Sequence, residues 1–289
     1  MGSIIRMDIY RLVTSVSFKV CLGIVFFMNL LEGPVSKLIF NLGKMLVKDS
    51  DDSEEALEAM EAWAGSYHVG NLVAGQLGMV CTVVFLLCVV YFCFADIQHG
   101  YIKNIAGQLP SRGHTIVSKF VVIQFTILVF YVATVIGNVV GQLLVGRKLK
   151  FDMYFSGELD LMTMTEGVGK TFSMGQALCE FAIKFLLLSG MCSLILLLTT
   201  GIGSNVAGTI VAVLCGAGFT GLAYSGISAG IRKLFHLKKF SLTDYMPDSL
   251  YRTDLYNEDC VVRALIMAIL TIVILMALTT RLYNKKDIE

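Results

Sequence analysis

The chain has 289 residues, of which 56% are hydrophobic and 16% charged, with a formal net charge of +1, and its mean hydropathy is +0.74. Soluble domains carry about 25% charged residues and break their apolar segments with polar positions at every turn or strand. Here apolar runs continue for about 20 residues, the length that crosses a hydrocarbon layer about 30 Å thick. A soluble fold is excluded; the near-neutral charge identifies no partner, and no nucleic acid is expected.

In lipid only helices and closed barrels satisfy the backbone. The runs are continuous rather than alternating, so the chain is read as an all-α integral membrane protein forming a single transmembrane domain over residues 1–289. Seven of the eight cysteines (Cys21, Cys81, Cys88, Cys93, Cys179, Cys192 and Cys215) fall in apolar runs, with Cys260 at an edge. They are read as small buried apolar side chains rather than a disulfide framework. Arg11 and Lys19 interrupt the first apolar region, and no small-x-small site follows it, so no cleaved signal peptide is expected.

In chain order, Ile5, Ile9, Leu12, Val13 and Val16 share one helical face, with Arg6, Asp8, Arg11 and Ser15 elsewhere. This pattern predicts a helix lying in the membrane interface over residues 1–17; the alternative is a fraying start to the first membrane helix. A first span covers 18–40, with Glu32-Gly33-Pro34 allowing a stop at Leu31 and a short resumption. The acidic stretch 48–63 reads as a solvated loop running into a short surface helix, without the ligand spacing of an EF-hand. Trp63 and Tyr67 suit the headgroup level.

Two further spans, 69–95 and 116–145, flank the polar, net-basic break 96–119. After a loop comes a fourth span, 176–200, whose Glu180 and Lys184 either pair at its start or leave Lys184 snorkelling to the interface. A turn at 201–204 leads to a fifth span, 205–231, where Ala217, Gly221, Ser225 and Ala229 repeat at four-residue steps. Gly226 and Gly230 add a second small pair. Such a ridge permits close helix approach, within the chain or between subunits. A polar loop with a turn at Met246-Pro247-Asp248 precedes the last span, 261–280, and a basic end.

Six spans put both termini on one side. Arg6, Arg11, Lys19, Lys103, Arg112, Lys119, Arg281, Lys285 and Lys286 all fall on that side and the acidic 48–63 stretch on the other, which predicts cytoplasmic termini.

No motif carries catalytic chemistry. Gly169-Lys170-Thr171 resembles the tail of a P-loop, but the first glycine that motif needs would stand where Met164 is, and nucleotide binding is rejected. There is no H-E-x-x-H, no histidine–cysteine cluster and no serine elbow, and His68, His99, His114 and His236 are scattered. The chain is expected not to be an enzyme by itself and to bind no cofactor or metal. What remains is the polar break. Gly100-Tyr101-Ile102-Lys103-Asn104-Ile105 offers a short helix with apolar and basic sides, followed by Pro110-Ser111-Arg112-Gly113. An ordinary loop touching anionic lipid would also look like this.

Met7-Asp8-Ile9-Tyr10-Arg11-Leu12, with residues 15–18, resembles the N-terminal elbow of ABC-2-type transporter permeases. Gly100 to Ile105, with Ser111-Arg112 and Ser118-Lys119, resembles the coupling connection between that family's second and third spans. The chain as a whole is similar to the small six-span permeases of bacterial peptide or antibiotic export and immunity systems. That resemblance implies a bacterial cell-membrane permease subunit paired with a second permease copy or a related one. A separate ABC ATPase would carry ATP and magnesium. Tyr101, Ile102, Lys103, Asn104, Ile105 and Arg112 would contact that ATPase, and the cargo would be a peptide, lantibiotic or other amphipathic antibiotic. Other readings are a non-transport scaffold or sensor in the membrane, and a secondary transporter.

Overall fold

The computed structural model of the chain describes residues 2–47, 66–75, 77–98, 113–155, 159–160, 165–166, 170–235 and 240–285. The coupling residues Tyr101, Ile102, Lys103, Asn104, Ile105 and Arg112, the acidic stretch 48–63 and Trp63 lie outside them. Five helical stretches among the described residues are long and apolar enough to cross a membrane: Val16–Leu42, Val69–Ala95, Gly113–Leu144, Met174–Ile202 and Val261–Lys285. They coincide with five of the six expected spans, and the chain is a multi-pass helical membrane protein.

The chain divides into two compact units, one of Met1–Gly23, Gln76–Phe130 and Ala182–Glu289, the other of Ile24–Gly75 and Tyr131–Phe181. The first unit holds α1 (Gly2–Thr14), the start of α2 (Val16–Val47), α4 (Met79–Gln98) and the first half of α5 (Gly113–Leu144). It also holds most of α6 (Met174–Leu196), α7 (Asn205–Ala217), α8 (Thr220–Phe235), α9 (Pro247–Arg252) and α10 (Val261–Lys285).

Contacts fix the helix directions in this unit. Phe85 and Phe92 of α4 meet Phe130 and Lys119 of α5 in reverse order, so the two helices are antiparallel. Gly208 of α7 lies against Val90 and Gly216 against Val83, which makes α7 antiparallel to α4. Gly190 of α6 lies against Thr271, and Gly201, in the π-helical turn Leu197–Ile202 that ends α6, lies against Thr279. Hence α6 and α10 run the same way, and α7 is the return pass between them. The core is built from the enclosed faces of α4, α5 and α6, where Phe85, Leu86, Ile123, Ile127, Leu187 and Leu196 are fully buried.

The expected fifth span is corrected here. It is not one helix over 205–231 but two, α7 and α8, which meet at an angle of 89°. With 13 residues, α7 is only about 20 Å long. Gly218 makes the corner by adopting φ +77°, a conformation that costs other residues about 1–2 kcal/mol. The guanidinium of Arg252, delivered by α9, donates to the Cys215 carbonyl at 3.0 Å and to the Gly216 carbonyl. It thereby satisfies carbonyls that a helix end leaves open. Beside it the buried Asp248 accepts from the hydroxyls of Thr220 and, at 3.0 Å, Tyr224, and the Tyr251 hydroxyl accepts from the Leu77 N–H at 2.9 Å. Arg252→Ala is expected to lower stability by about 2 kcal/mol, measured as thermal unfolding in detergent; unchanged unfolding would mean that the corner holds without it.

In the second unit, α2 continues through Pro34 to Val47 as one helix. The stop at Leu31 that the sequence allows does not occur. Pro34 brings no N–H to the Leu30 carbonyl. Gly141 of α5 packs directly on that carbonyl, as Gly33 does on the Gly141 carbonyl and Gly137 on that of Phe26. Close glycine contacts of this kind place weak Cα–H donors against carbonyls and let two membrane helices approach with no side chain between them. A polar chain runs along the same crossing. Asn138 donates to Glu32 at 2.5 Å, Gln142 to Asn138 at 3.5 Å, and Arg147 to Gln142 at 3.1 Å.

The connections of this unit are not plain loops, and among the described residues three two-stranded ladders accompany the helices. β1 (Ser66–His68) pairs in parallel with β2 (Lys148–Lys150), while β3 (Met153–Phe155) pairs antiparallel with β6 (Lys170–Phe172). β4 (Leu159–Asp160) pairs antiparallel with β5 (Thr165–Glu166). Lys170 and Thr171 thus stand in a strand, whereas a P-loop would place them at the opening of a helix. A short helix α3 (Val69–Ala74) joins the ladders. His68 Nδ1 lies 2.5 Å from the Asp152 carboxylate and its ring stacks on Tyr154. Asn71 bonds both the N–H and the carbonyl of Tyr154, at 2.7 and 2.6 Å. The eight cysteines are free thiols, and six are buried.

Candidate functional site

The residues that set this site begin with the break between α1 and α2. Ser15 lies between the two helices, and its hydroxyl oxygen accepts from the Phe18 N–H at 3.2 Å, the bond that caps a helix start. Thr14 Oγ1 donates to the Tyr10 carbonyl at 2.8 Å and finishes α1. A separate helix therefore precedes the first span, and the division falls at Ser15 rather than Ser17.

Leu12 is buried, but Val13 and Val16 are exposed, and Asp8 is only 4% exposed. A carboxylate is hidden in this way only if it is paired. Ser118 Oγ, in the second turn of α5, donates to Asp8 Oδ2 at 2.7 Å, and the Arg11 guanidinium lies 3.7 Å from Oδ1. The next residue, Lys119, is fully buried with its ammonium 5.1 Å from the Phe92 ring centroid, a cation–π arrangement. Two segments that the sequence singles out, Asp8 to Arg11 and Ser118-Lys119, are therefore in contact. Their junction sits where α5 begins, immediately after the basic connection. What this junction does is fix the rotation of α1 against α5.

Lys184 is a further buried charge. It is 1% exposed and its ammonium lies 4.0 Å from the Asp254 carboxylate in the segment after α9. This replaces snorkelling to the headgroups. Glu180, one turn earlier on α6, is also buried. Further along the same helix Ser189 donates to Gln124 of α5 at 2.6 Å.

The small-residue ridge is divided by the corner. Ala217 closes α7, while Gly221, Ser225 and Ala229 lie on α8; a side chain at Gly221 would have nothing within 4 Å in this chain, and Ser225 and Ala229 are exposed. Close approach instead occurs at Gly208, Ala212 and Gly216, which are buried on α7. Among the described residues no group of three or more histidine, cysteine, aspartate or glutamate side chains is arranged to hold a metal ion.

Sequence reasoning misses the Asp8–Ser118 bond, the chain from Glu32 to Arg147 and the Lys184–Asp254 contact. A signal exists for the first two. Asp8 stands three residues after Ile5 and four before Leu12, spacing that puts it on their face. Asn138 and Gln142 repeat at four residues inside an apolar run. No family model matches this chain, and no curated protein and no solved structure matches it.

Proposed function

We propose that this chain is the permease subunit of an ATP-driven exporter in a bacterial cell membrane, with both termini cytoplasmic. It has no catalytic activity of its own and pairs with a second permease and with separate ABC ATPases that hold ATP and magnesium. The cargo class that fits the resemblance is a peptide, lantibiotic or other amphipathic antibiotic.

One observation carries this reading. The helix that emerges from the basic connection, α5, is tied by a buried carboxylate to α1. A push on the connection would turn α5 and take α1 with it, which is how a partner's nucleotide cycle can bias two arrangements of a membrane domain. Ile102 and Ile105 would seat the connection on the ATPase, and Lys103 and Arg112 would steer it. The double substitution Ile102→Glu, Ile105→Glu is expected to leave membrane insertion intact while ATP turnover loses its dependence on cargo, read in the reconstituted complex. Normal cargo-stimulated turnover in that variant would sink the coupling role, and purification from native membrane without any ATPase would sink the exporter reading.

A second reading, an ion-coupled secondary transporter, draws on the polar chain from Glu32 through Asn138 and Gln142 to Arg147. Ionisable groups inside a membrane span frequently mark ion paths. Transport by the chain alone, driven by a proton or sodium gradient and lost in Glu32→Gln, would favour it over the exporter.

A further inference from the structure

Two thiols meet where the first span packs on α4. Cys21 of α2 and Cys88 of α4 both belong to the first unit, and their side chains hydrogen-bond to each other. Packing that does not involve sulfur brings them together. The Phe18 and Phe85 rings both lean edge-on against Phe130, with centroids 5.9 and 5.2 Å away. Each ring stands three residues before one of the two cysteines, and so on the same face of its helix. Thiols close enough to share a hydrogen have a short distance left to close for a covalent bond.

The pair can be reached. Cys21 is half-buried, and Cys88, although 2% exposed, lines a cavity of about 280 Å³ with Phe18, Tyr91 and Phe92. Thr14 and Ser15 stand on the same wall, so the cavity extends to the residues that precede the first span at Val16. Cys21 is five residues beyond Val16, about 8 Å deeper. The other thiols are poorer partners. Cys93 follows Cys88 by five residues on one helix, a rotation of about 140° that no intrahelical bridge spans without breaking α4. Cys192 is fully enclosed, and Cys179 belongs to the other unit.

We propose that Cys21 and Cys88 form a reversible disulfide, a redox latch between α2 and α4, with hydrogen peroxide or another small uncharged hydroperoxide as the oxidant. The Cys21 sulfur, the more exposed, attacks a peroxide oxygen; an S–O bond forms, the O–O bond breaks and one water leaves. The Cys88 sulfur then attacks the Cys21 sulfur, the S–S bond forms, the S–O bond breaks and a second water leaves with the Cys88 proton. Two thiols are oxidised and one peroxide is reduced to two waters. The bond would fix the first span to α4, the helix that ends at Gln98 before the basic connection. With the termini in the cytoplasm, cellular reductants would reopen it, which makes it a switch rather than a permanent crosslink. The pair is independent of the exporter reading and would hold if the chain were a scaffold.

The test uses the full chain, purified reduced in detergent and treated with hydrogen peroxide. Remaining thiols are then alkylated, and the digested chain is mapped by mass spectrometry. A peptide joining Cys21 to Cys88, lighter by two hydrogen atoms than its reduced parts, is expected to dominate and to vanish with dithiothreitol. Oxidised glutathione, charged and bulky, is expected to form it about tenfold more slowly at equal concentration, because access limits exchange. Closing the bond is expected to raise the unfolding midpoint by about 5 °C. Cys88→Ser is expected to lose both the crosslink and the shift, whereas Cys192→Ser keeps both; if either variant fails to fold, the wild-type map still decides. Oxidation of Cys21 to the sulfinic acid with Cys88 still open to alkylation would overturn the pair, as would crosslinks dominated by other cysteines or by two chains. A midpoint left unchanged or lowered by oxidation would overturn the latch, and equal rates with the two reagents would overturn the hydroperoxide as the favoured oxidant.

Discussion

Asp8→Ala is expected to lower the unfolding free energy by about 3 kcal/mol, because it leaves the buried Ser118 hydroxyl without its acceptor and removes the carboxylate beside Arg11. The carboxylate is 4% exposed, so solvent does not compensate for its removal. Ser118→Ala removes one hydrogen bond to a charged group and is expected to cost about 2 kcal/mol. Because both act on the same bond, the double variant should be less damaged than the sum, with a coupling energy of about 1 kcal/mol or more in a double-mutant cycle. Thermal or denaturant unfolding in detergent reads the four proteins. The experiment also separates structure from coupling: the conservative Asp8→Asn retains an acceptor for Ser118 while removing the charge that faces Arg11. It should recover part of the stability, and under the exporter reading it should still turn over ATP at a rate that no longer follows cargo. Additive losses in the cycle would show that Asp8 and Ser118 do not hold α1 to α5.

Most of the helical architecture is legible in the chain because the physics that specifies it is coarse. A run such as 116–145 needs no more than sustained hydropathy to become a span, and the observed α5 begins at Gly113 and ends at Leu144. Even the fully buried Lys119 does not interrupt it, since its ammonium finds the Phe92 ring. The corner at Gly218 is hidden for the opposite reason. Composition stays apolar and small from Asn205 to Ile231, so nothing local announces a break. The break depends on Arg252 and Asp248, which arrive from α9 to hold it, and tertiary partners of that kind leave no periodic trace. The ladders are hidden because each strand has only two or three residues, too short for alternation to register. Of the candidate site, the segment Asp8 to Arg11 and the pair Ser118-Lys119 can be picked out singly from the sequence. Their contact cannot: the spacing of Asp8 from Ile5 and Leu12 marks the face it shares, but nothing in the sequence names Ser118 as its partner.

Gly141→Ala is expected to be strongly destabilising for a change of one methyl group, while Gly221→Ala should pass without loss of stability. A side chain at Gly141 would collide with the Leu30 carbonyl, a backbone atom that cannot rotate aside, whereas one at Gly221 would meet nothing within 4 Å. Separating α2 from α5 to admit the methyl group would also stretch the Asn138–Glu32 bond, which lies on the same crossing. Overpacking alone costs about 1–3 kcal/mol, and the strained polar bond adds to it, so a total of about 3 kcal/mol is expected. Gly221→Ala, at an open helical position, gains about 0.5–1 kcal/mol of helix propensity instead. Unfolding in detergent measures both, and equal effects at the two positions would refute the glycine crossing of α2 and α5. The two variants also discriminate between the uses of small residues in lipid. If Gly221→Ala leaves the single chain stable but prevents a second copy from associating, as read by crosslinking or native mass spectrometry, then Gly221, Ser225 and Ala229 serve an interface between subunits. If association survives, close packing in this protein is confined to crossings inside the chain.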